Sequence, residues 1–159
     1  IITRPAVAVD KEDLGFLPGE LDDKFWQWAI PITEIIKQRI GPQPFIKARA
    51  DGAIQMVPLG YMDGRTFHNS FVLFDEAENA TFNQMKVFLT RIGMDSKVVI
   101  NGDVEKQYAG TNALREIVHI ADALSLDVDI VELGPEDIVR SPQTAMWVDA
   151  ISKYEKGEV

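Results

Sequence analysis

Short β-branched runs alternate with longer stretches whose apolar residues recur at helical spacing. Ile1 to Arg4 reads as a strand, stopped by Pro5, which has no backbone N–H to give a ladder. Residues 10–20 are turn-rich, with Leu14, Phe16 and Leu17 available as anchors. A helix is predicted to begin at Asp22-Asp23 and to carry Phe25, Trp26, Ala29, Ile32, Ile36 and Ile40. Pro31 would kink it or mark a second start, and Gly41-Pro42-Gln43-Pro44 ends it. A short helix or loop follows, then a strand over Ile54–Leu59 and a polar surface loop from Gly60 to Asn69.

Ser70 to Phe74 is a continuous apolar run that stops abruptly at Asp75-Glu76, the pattern of a strand buried on both faces that opens into a site. Thr81 and Gln84 have capping-box spacing before a stripe of Met85, Phe88, Leu89 and Ile92, with Gly93 as the predicted stop. Lys97 to Ile100 is a second buried strand, ending in Asn101-Gly102-Asp103. Leu114, Ile117, Val118, Ala121 and Leu124 mark a helix, and Val128–Leu133 a strand with alternating acids. Pro142 opens a last helix through Met146, Val148 and Ile151. Strands alternating with helices predict one α/β domain over residues 1–159, three-layered around a mainly parallel sheet.

Composition narrows the class without changing the architecture. Of 159 residues, 46% are hydrophobic and 26% charged, as in ordinary globular domains. No apolar run approaches the ~20 residues of a membrane span. No cysteine is present, which rules out disulfides and thiolate metal sites and fits a reducing cytoplasm. His68 and His119 are too few for a His-rich zinc site and read as structural or exposed. The net charge of −9 repels a phosphate backbone over most of the surface, so any nucleic-acid contact is local or built by oligomerisation.

The candidate chemistry lies where two successive buried strands end in acid. In open parallel sheets, ligands bind at the carboxyl ends of the strands. A carboxylate there can hold Mg²⁺ directly or through water. A second carboxylate beside it can take a proton from an attacking water, and Asp75-Glu76 offers such a pair. Asp103 ends the neighbouring strand, and Asn101 beside it can touch a γ-phosphate or position that water. Arg4, Arg65, Arg91 and Arg140 fall in loops or at element ends. Guanidinium groups suit phosphate, so Arg4 and Arg65 are candidates for nucleic acid or nucleotide and Arg91 for a subunit contact, although a surface ion pair is the favoured reading of any one of them. Trp26 reads as core and Trp28 as an interface or base-stacking residue.

Phe71-Val72-Leu73-Phe74-Asp75-Glu76-Ala77-Glu78-Asn79 resembles the Walker B segment of the PhoH family of P-loop ATPases. Seven further segments resemble that family in order and spacing: Thr3–Val7, Leu14–Gly19, Gly64–Thr66, Gln84–Lys86, Phe88–Gly93, Gly102-Asp103 and Asp137–Arg140. The resemblance implies a RecA-like domain related to superfamily 1 helicase motors, binding ATP and Mg²⁺. It implies Asp75 as the magnesium residue, Glu76 as general base and Arg140 as a late arginine reaching a γ-phosphate. Glu78 stands where relatives usually carry a Gln near that phosphate. Gly102-Asp103 is similar to the helicase motif after Walker B, where a Gln often lies three residues past the Asp; here Gln107 lies four past. The resemblance further implies a homo-oligomer, for which a ring is one arrangement, single-stranded RNA or DNA as partner, and the cytoplasm of a bacterial or phage-infected cell.

A phosphate loop of the form G-x-x-x-x-G-K-[ST] is not present in these residues. Gly60–Thr66 is one residue short, carries Arg for Lys and leads toward a strand rather than a helix. The chain opens within the run Ile1-Ile2-Thr3, so a trimmed or cleaved fragment is expected, with the phosphate loop upstream. Two other readings stay open: a magnesium-dependent nuclease or phosphohydrolase using Asp75, Glu76 and Asp103, and a non-catalytic oligomerisation or binding module.

Overall fold

A computed structural model describes residues 1–5, 26–106, 112–134, 137–139, 141–155 and 157–158. Two compact units are formed, Ile1–Leu124 and Ser125–Val159. The first holds a three-stranded sheet in the order β1 (Ile2–Thr3), β2 (Phe71–Phe74), β3 (Lys97–Ile100). All pairings are parallel, as the sequence pattern predicts. Thr3 lies beside Phe74, and Phe74 beside Ile100.

Side chains alternate across the sheet, so each face has its own core. Val72 and Phe74 share a face with Thr3 and bury against Met85 and Phe88 of α3 (Phe82–Leu89) and Leu114 of α4 (Ala113–Ala123). The Phe74 and Phe88 rings lie 4.7 Å apart. Ile2 on the opposite face packs with Trp26, Ala29, Phe45 and Met56, with Phe45 supplied by α2 (Pro42–Ala50). Helices on both faces of a parallel sheet make the three layers. Trp26 is core, as expected.

Pro31 marks a new start rather than a kink: it lies in the first turn of α1 (Ile30–Ile40), after a helical turn at 26–28. Gly41, at φ +88°, ends α1 and opens α2. Asp22, Asp23 and Phe25, the expected start of this helix, lie outside the described residues, as does the turn-rich segment 10–20.

Several expectations are corrected. Ile54–Leu59 is not a full strand; it gives β1 one parallel bridge, Ile2 to Met56. The pairing stops because Pro5 closes the partner and Leu59 enters a 3-10 turn, Leu59–Tyr61. β3 is not buried on both faces: Val98 and Ile100 pack on the core, whereas Val99 is 42% exposed. α3 ends at Leu89, where the Thr90 hydroxyl donates to the carbonyls of Lys86 and Val87. Gly93 serves another purpose, since a Cβ there would fall 2.5 Å from Nδ1 of His68. That nitrogen accepts the Met94 N–H at 3.1 Å, which makes His68 structural; His119 is exposed.

In the second unit, α5 (Pro142–Glu155) forms where Pro142 predicts it. Ser141 caps it, accepting the Thr144 N–H at 3.2 Å. Met146, Val148 and Ile151, its expected apolar stripe, are exposed. Residues 128–133 are not a strand: they join no ladder among the described residues, and Val131 and Leu133 are about four-fifths exposed, at 80% and 79%. Among the described residues, no helix is long and apolar enough to cross a membrane.

The capping box at α3 is complete: Thr81 Oγ1 accepts the Gln84 N–H and Gln84 Oε1 accepts the Thr81 N–H. Thr81→Ala removes one of these partners and is expected to destabilise the fold by about 1 kcal/mol. A lower urea midpoint with an unchanged slope in equilibrium unfolding checks this.

Candidate active site

Parallel pairing sets the site. With Thr3, Phe74 and Ile100 in register, the next residue of each strand, Arg4, Asp75 and Asn101, falls at the same edge of the sheet. Backbone bonds carry the alignment past the strand ends: Asp75 N–H to Thr3 O at 3.0 Å, and Asn101 N–H to Phe74 O at 2.8 Å. Asn101 Nδ2 then donates to Asp75 Oδ1 at 2.8 Å, while Arg4 Nε lies 3.6 Å from Asp75 Oδ2.

Glu76 leaves the strand in the left-handed region, φ 54° and ψ 41°, a conformation uncommon for a residue with a side chain. Neighbours in a strand point to opposite faces. The left-handed turn breaks that alternation and lets both acids reach one guanidinium. Arg4 Nη2 is 3.2 Å from Glu76 Oε1. Arg4 is itself braced by Nη1 donating to the Trp28 carbonyl at 2.7 Å.

Behind Glu76, the 3-10 turn Ala77–Asn79 carries Glu78, only 3% exposed. Glu78 Oε2 accepts the Asp103 N–H at 3.3 Å, and Lys106 Nζ lies 3.4 Å from Oε1. Asn79 Nδ2 donates to Glu76 Oε2 at 3.2 Å and to Glu78 Oε1 at 3.3 Å. Burial raises the Glu76 carboxyl above the ordinary carboxylate range. The Glu78 charge and a hydrogen bond with Glu78 raise it further, against the pull of Arg4 and Lys106.

Some predicted site residues do not join this cluster through their side chains. The Asp103 carboxylate turns back on its own loop, where Oδ1 accepts the N–H groups of Glu105 and Lys106 at 2.8 and 3.2 Å. Arg65 donates to Gln55 Oε1 at 3.0 Å and stacks 5.0 Å from the Phe67 ring. Arg91 pairs with Asp63 at 2.6 Å. Gln107 and Arg140 lie outside the described residues. Sequence reasoning missed Lys106 and Asn79; for Arg4 it expected an ion pair without naming Asp75 and Glu76 as its partners. The available signal for Lys106 was spacing: it occupies the third position past Asp103.

Among the described residues, no three His, Cys, Asp or Glu side chains are grouped to cage a metal. Asp75 alone suits a different mode. Each of its oxygens faces one donor group and keeps lone pairs to spare. Mg²⁺ commonly keeps several waters and takes one or two carboxylates plus substrate phosphates.

The fold and site define an α/β protein whose parallel strands bring two acids, an amide and a guanidinium together at their carboxyl ends. Residues 1–152 match the family model for PhoH-like protein, and the chain belongs to that family. It is 40% identical to a PhoH-like protein of Mycobacterium tuberculosis over 98% of this chain and 45% of that protein. A PhoH-like protein of Bacillus subtilis is 37% identical, over 96% and 48%. Protein PhoH of Escherichia coli is 38% identical, over 89% and 41%. The chain thus spans under half the length of these relatives.

Two predictions follow from the packing and charge around Glu76. A Cβ at residue 102 would fall 2.5 Å from Glu78 Oε2, 2.9 Å from Leu114 and 3.0 Å from the Ala77 nitrogen. Gly102→Ala is therefore expected to cost roughly 1–3 kcal/mol, measured by denaturant unfolding. Secondly, a carboxyl raised in the folded state contributes stability that is full below its unfolded value, near 4.5, and lost as pH rises through the higher folded value. Glu76→Gln should be more stable than the parent at pH 7, with the gap closing towards pH 4. Thermal melts across that range test it; a gap that widens in acid contradicts it.

Proposed function

We propose that this chain carries the hydrolytic half of an ATP-binding site in a RecA-like ATPase. The carrying observation is the strand-end cluster, in which Asp75 and Glu76 leave the central strand together, with Asn101 bound to Asp75 and Arg4 against both acids. Asp75 would hold Mg²⁺, which neutralises phosphate charge when bound. Glu76 is the general base. Its raised carboxyl brings its proton affinity nearer neutrality, where a base combines ionisation with proton-accepting power. Asn101 fixes the orientation of Asp75. Arg140 and Gln107 remain proposed nucleotide contacts on the family resemblance alone.

Asp103 supports this reading over a nuclease built on Asp75, Glu76 and Asp103, because its carboxylate is engaged by its own loop rather than joining the other two. A homo-oligomer acting on single-stranded RNA or DNA in the cytoplasm belongs to the same proposal. The acidic balance of the chain confines such contacts to local basic surface.

Glu76→Gln in the full-length protein is the test. ATP turnover should fall roughly 100-fold or more while ATP binding, measured by calorimetry, persists. Unchanged turnover removes Glu76 as base. Loss of neither activity nor binding on Asp75→Ala would remove the site altogether.

A further inference from the structure

We infer that Glu78 and Lys106 act as one charge unit that positions Glu76, which makes Lys106 a further positioning residue of the site. The turnover arm of this inference rests on the hydrolytic reading above; the folding and side-chain order arms do not.

Lys106 is not a loose surface lysine. Its N–H donates to Asp103 Oδ1 at 3.2 Å and its carbonyl accepts Asn112 Nδ2 at 2.5 Å. Asn112 also binds the Asp103 carbonyl at 2.9 Å and is itself buried. The lysine backbone is thereby fixed from both sides. Its Nζ lies 3.4 Å from Glu78 Oε1 and 3.9 Å from Glu76 Oε2. Glu78 is only 3% exposed, and its Oε2 packs so close to Gly102 that a Cβ there would fall 2.5 Å away.

A buried carboxylate needs a paired charge or hydrogen-bond donors. Lys106, the Asp103 N–H and Asn79 are those partners. Lys106 and Asn79 each also reach Glu76 Oε2. Glu76 is thus held between Arg4 from the end of β1 on one oxygen and the Lys106–Asn79 pair on the other. The charged groups around it are Arg4, Lys106, Glu78 and the adjacent Asp75. Removing Lys106 alone strands Glu78 beside Glu76. Removing both charges leaves two neutral groups that can still hydrogen-bond.

A double-mutant cycle of Glu78→Gln and Lys106→Gln in the full-length protein tests this. Without nucleotide, Lys106→Gln should lower the melting temperature, and the double variant should recover most of the loss. Glu76 side-chain order, followed by methylene ¹³C relaxation, should fall in Lys106→Gln and recover in the double variant. Lys106→Arg should keep the parent order. Where ATP is hydrolysed, kcat should fall several-fold in Lys106→Gln with KM little changed, and recover in the double variant and in Lys106→Arg. Additive melting effects overturn the charge unit. Coupled melting with unchanged Glu76 order overturns the positioning role. Lost Glu76 order in a protein without turnover would uphold this inference while defeating the hydrolytic one.

Discussion

The parallel register of three short strands is the constraint on which the site depends. β1 contributes two paired residues, β2 and β3 four each. Slipping β1 by one residue would turn Ile2 and Thr3 to opposite faces. Ile2 would leave its packing on Trp26 and Phe45, and Arg4 would leave the two acids. The same register that buries the core thus aligns Arg4, Asp75 and Asn101. Core packing and site geometry are one specification, and the hydrophobic driving force holds a polar arrangement that surface ion pairs alone would hold weakly.

Beyond the strand ends, order comes from charge. Asp75, Glu76 and Glu78 supply three carboxylates, faced by Arg4 and Lys106. One negative charge is left over within a small, partly desolvated volume. Glu76 bears the consequence, with its carboxyl raised by burial and by Glu78. The left-handed backbone at Glu76 adds local strain of the kind that persists only where surroundings fix it. Here those surroundings are the Ala77 N–H bonded to the Asn101 carbonyl at 3.0 Å and the ion pair to Arg4.

How much was legible in the sequence follows from how local each signal is. Thr81 and Gln84 are three residues apart and form the predicted capping box. The abrupt change from Phe74 to Asp75 marks the strand end where it occurs. Strands were harder, because a strand is a pairing and its partner is remote. Ile54–Leu59 has strand composition, but its neighbour β1 is too short to give it more than one bridge. Residues 128–133 have apolar residues without a described partner edge. Lys106 escaped notice for the same reason: its partner Glu78 lies 28 residues away. The roles of Gly93 and Gly102 are set by His68 and Glu78 across the fold, and a turn-forming reading of glycine cannot reveal such close approaches.

Both cations at the site are already engaged with carboxylates. Under the proposed ATPase function, an incoming polyphosphate therefore meets a cluster with one negative charge in excess rather than free positive charge. Using Arg4 or Lys106 as a phosphate ligand would expose Glu76 or Glu78 as an unpaired carboxylate, and for Glu78, at 3% exposure, that cost is severe. A nucleotide arriving with its own divalent cation avoids the conflict, since the metal supplies the positive charge and Asp75 retains lone pairs to receive it. The charge pairing then favours the metal–nucleotide complex over the bare polyphosphate. On the same proposal the two cations hold Glu76 and its neighbours in place, and the main phosphate-binding donors come from outside this cluster.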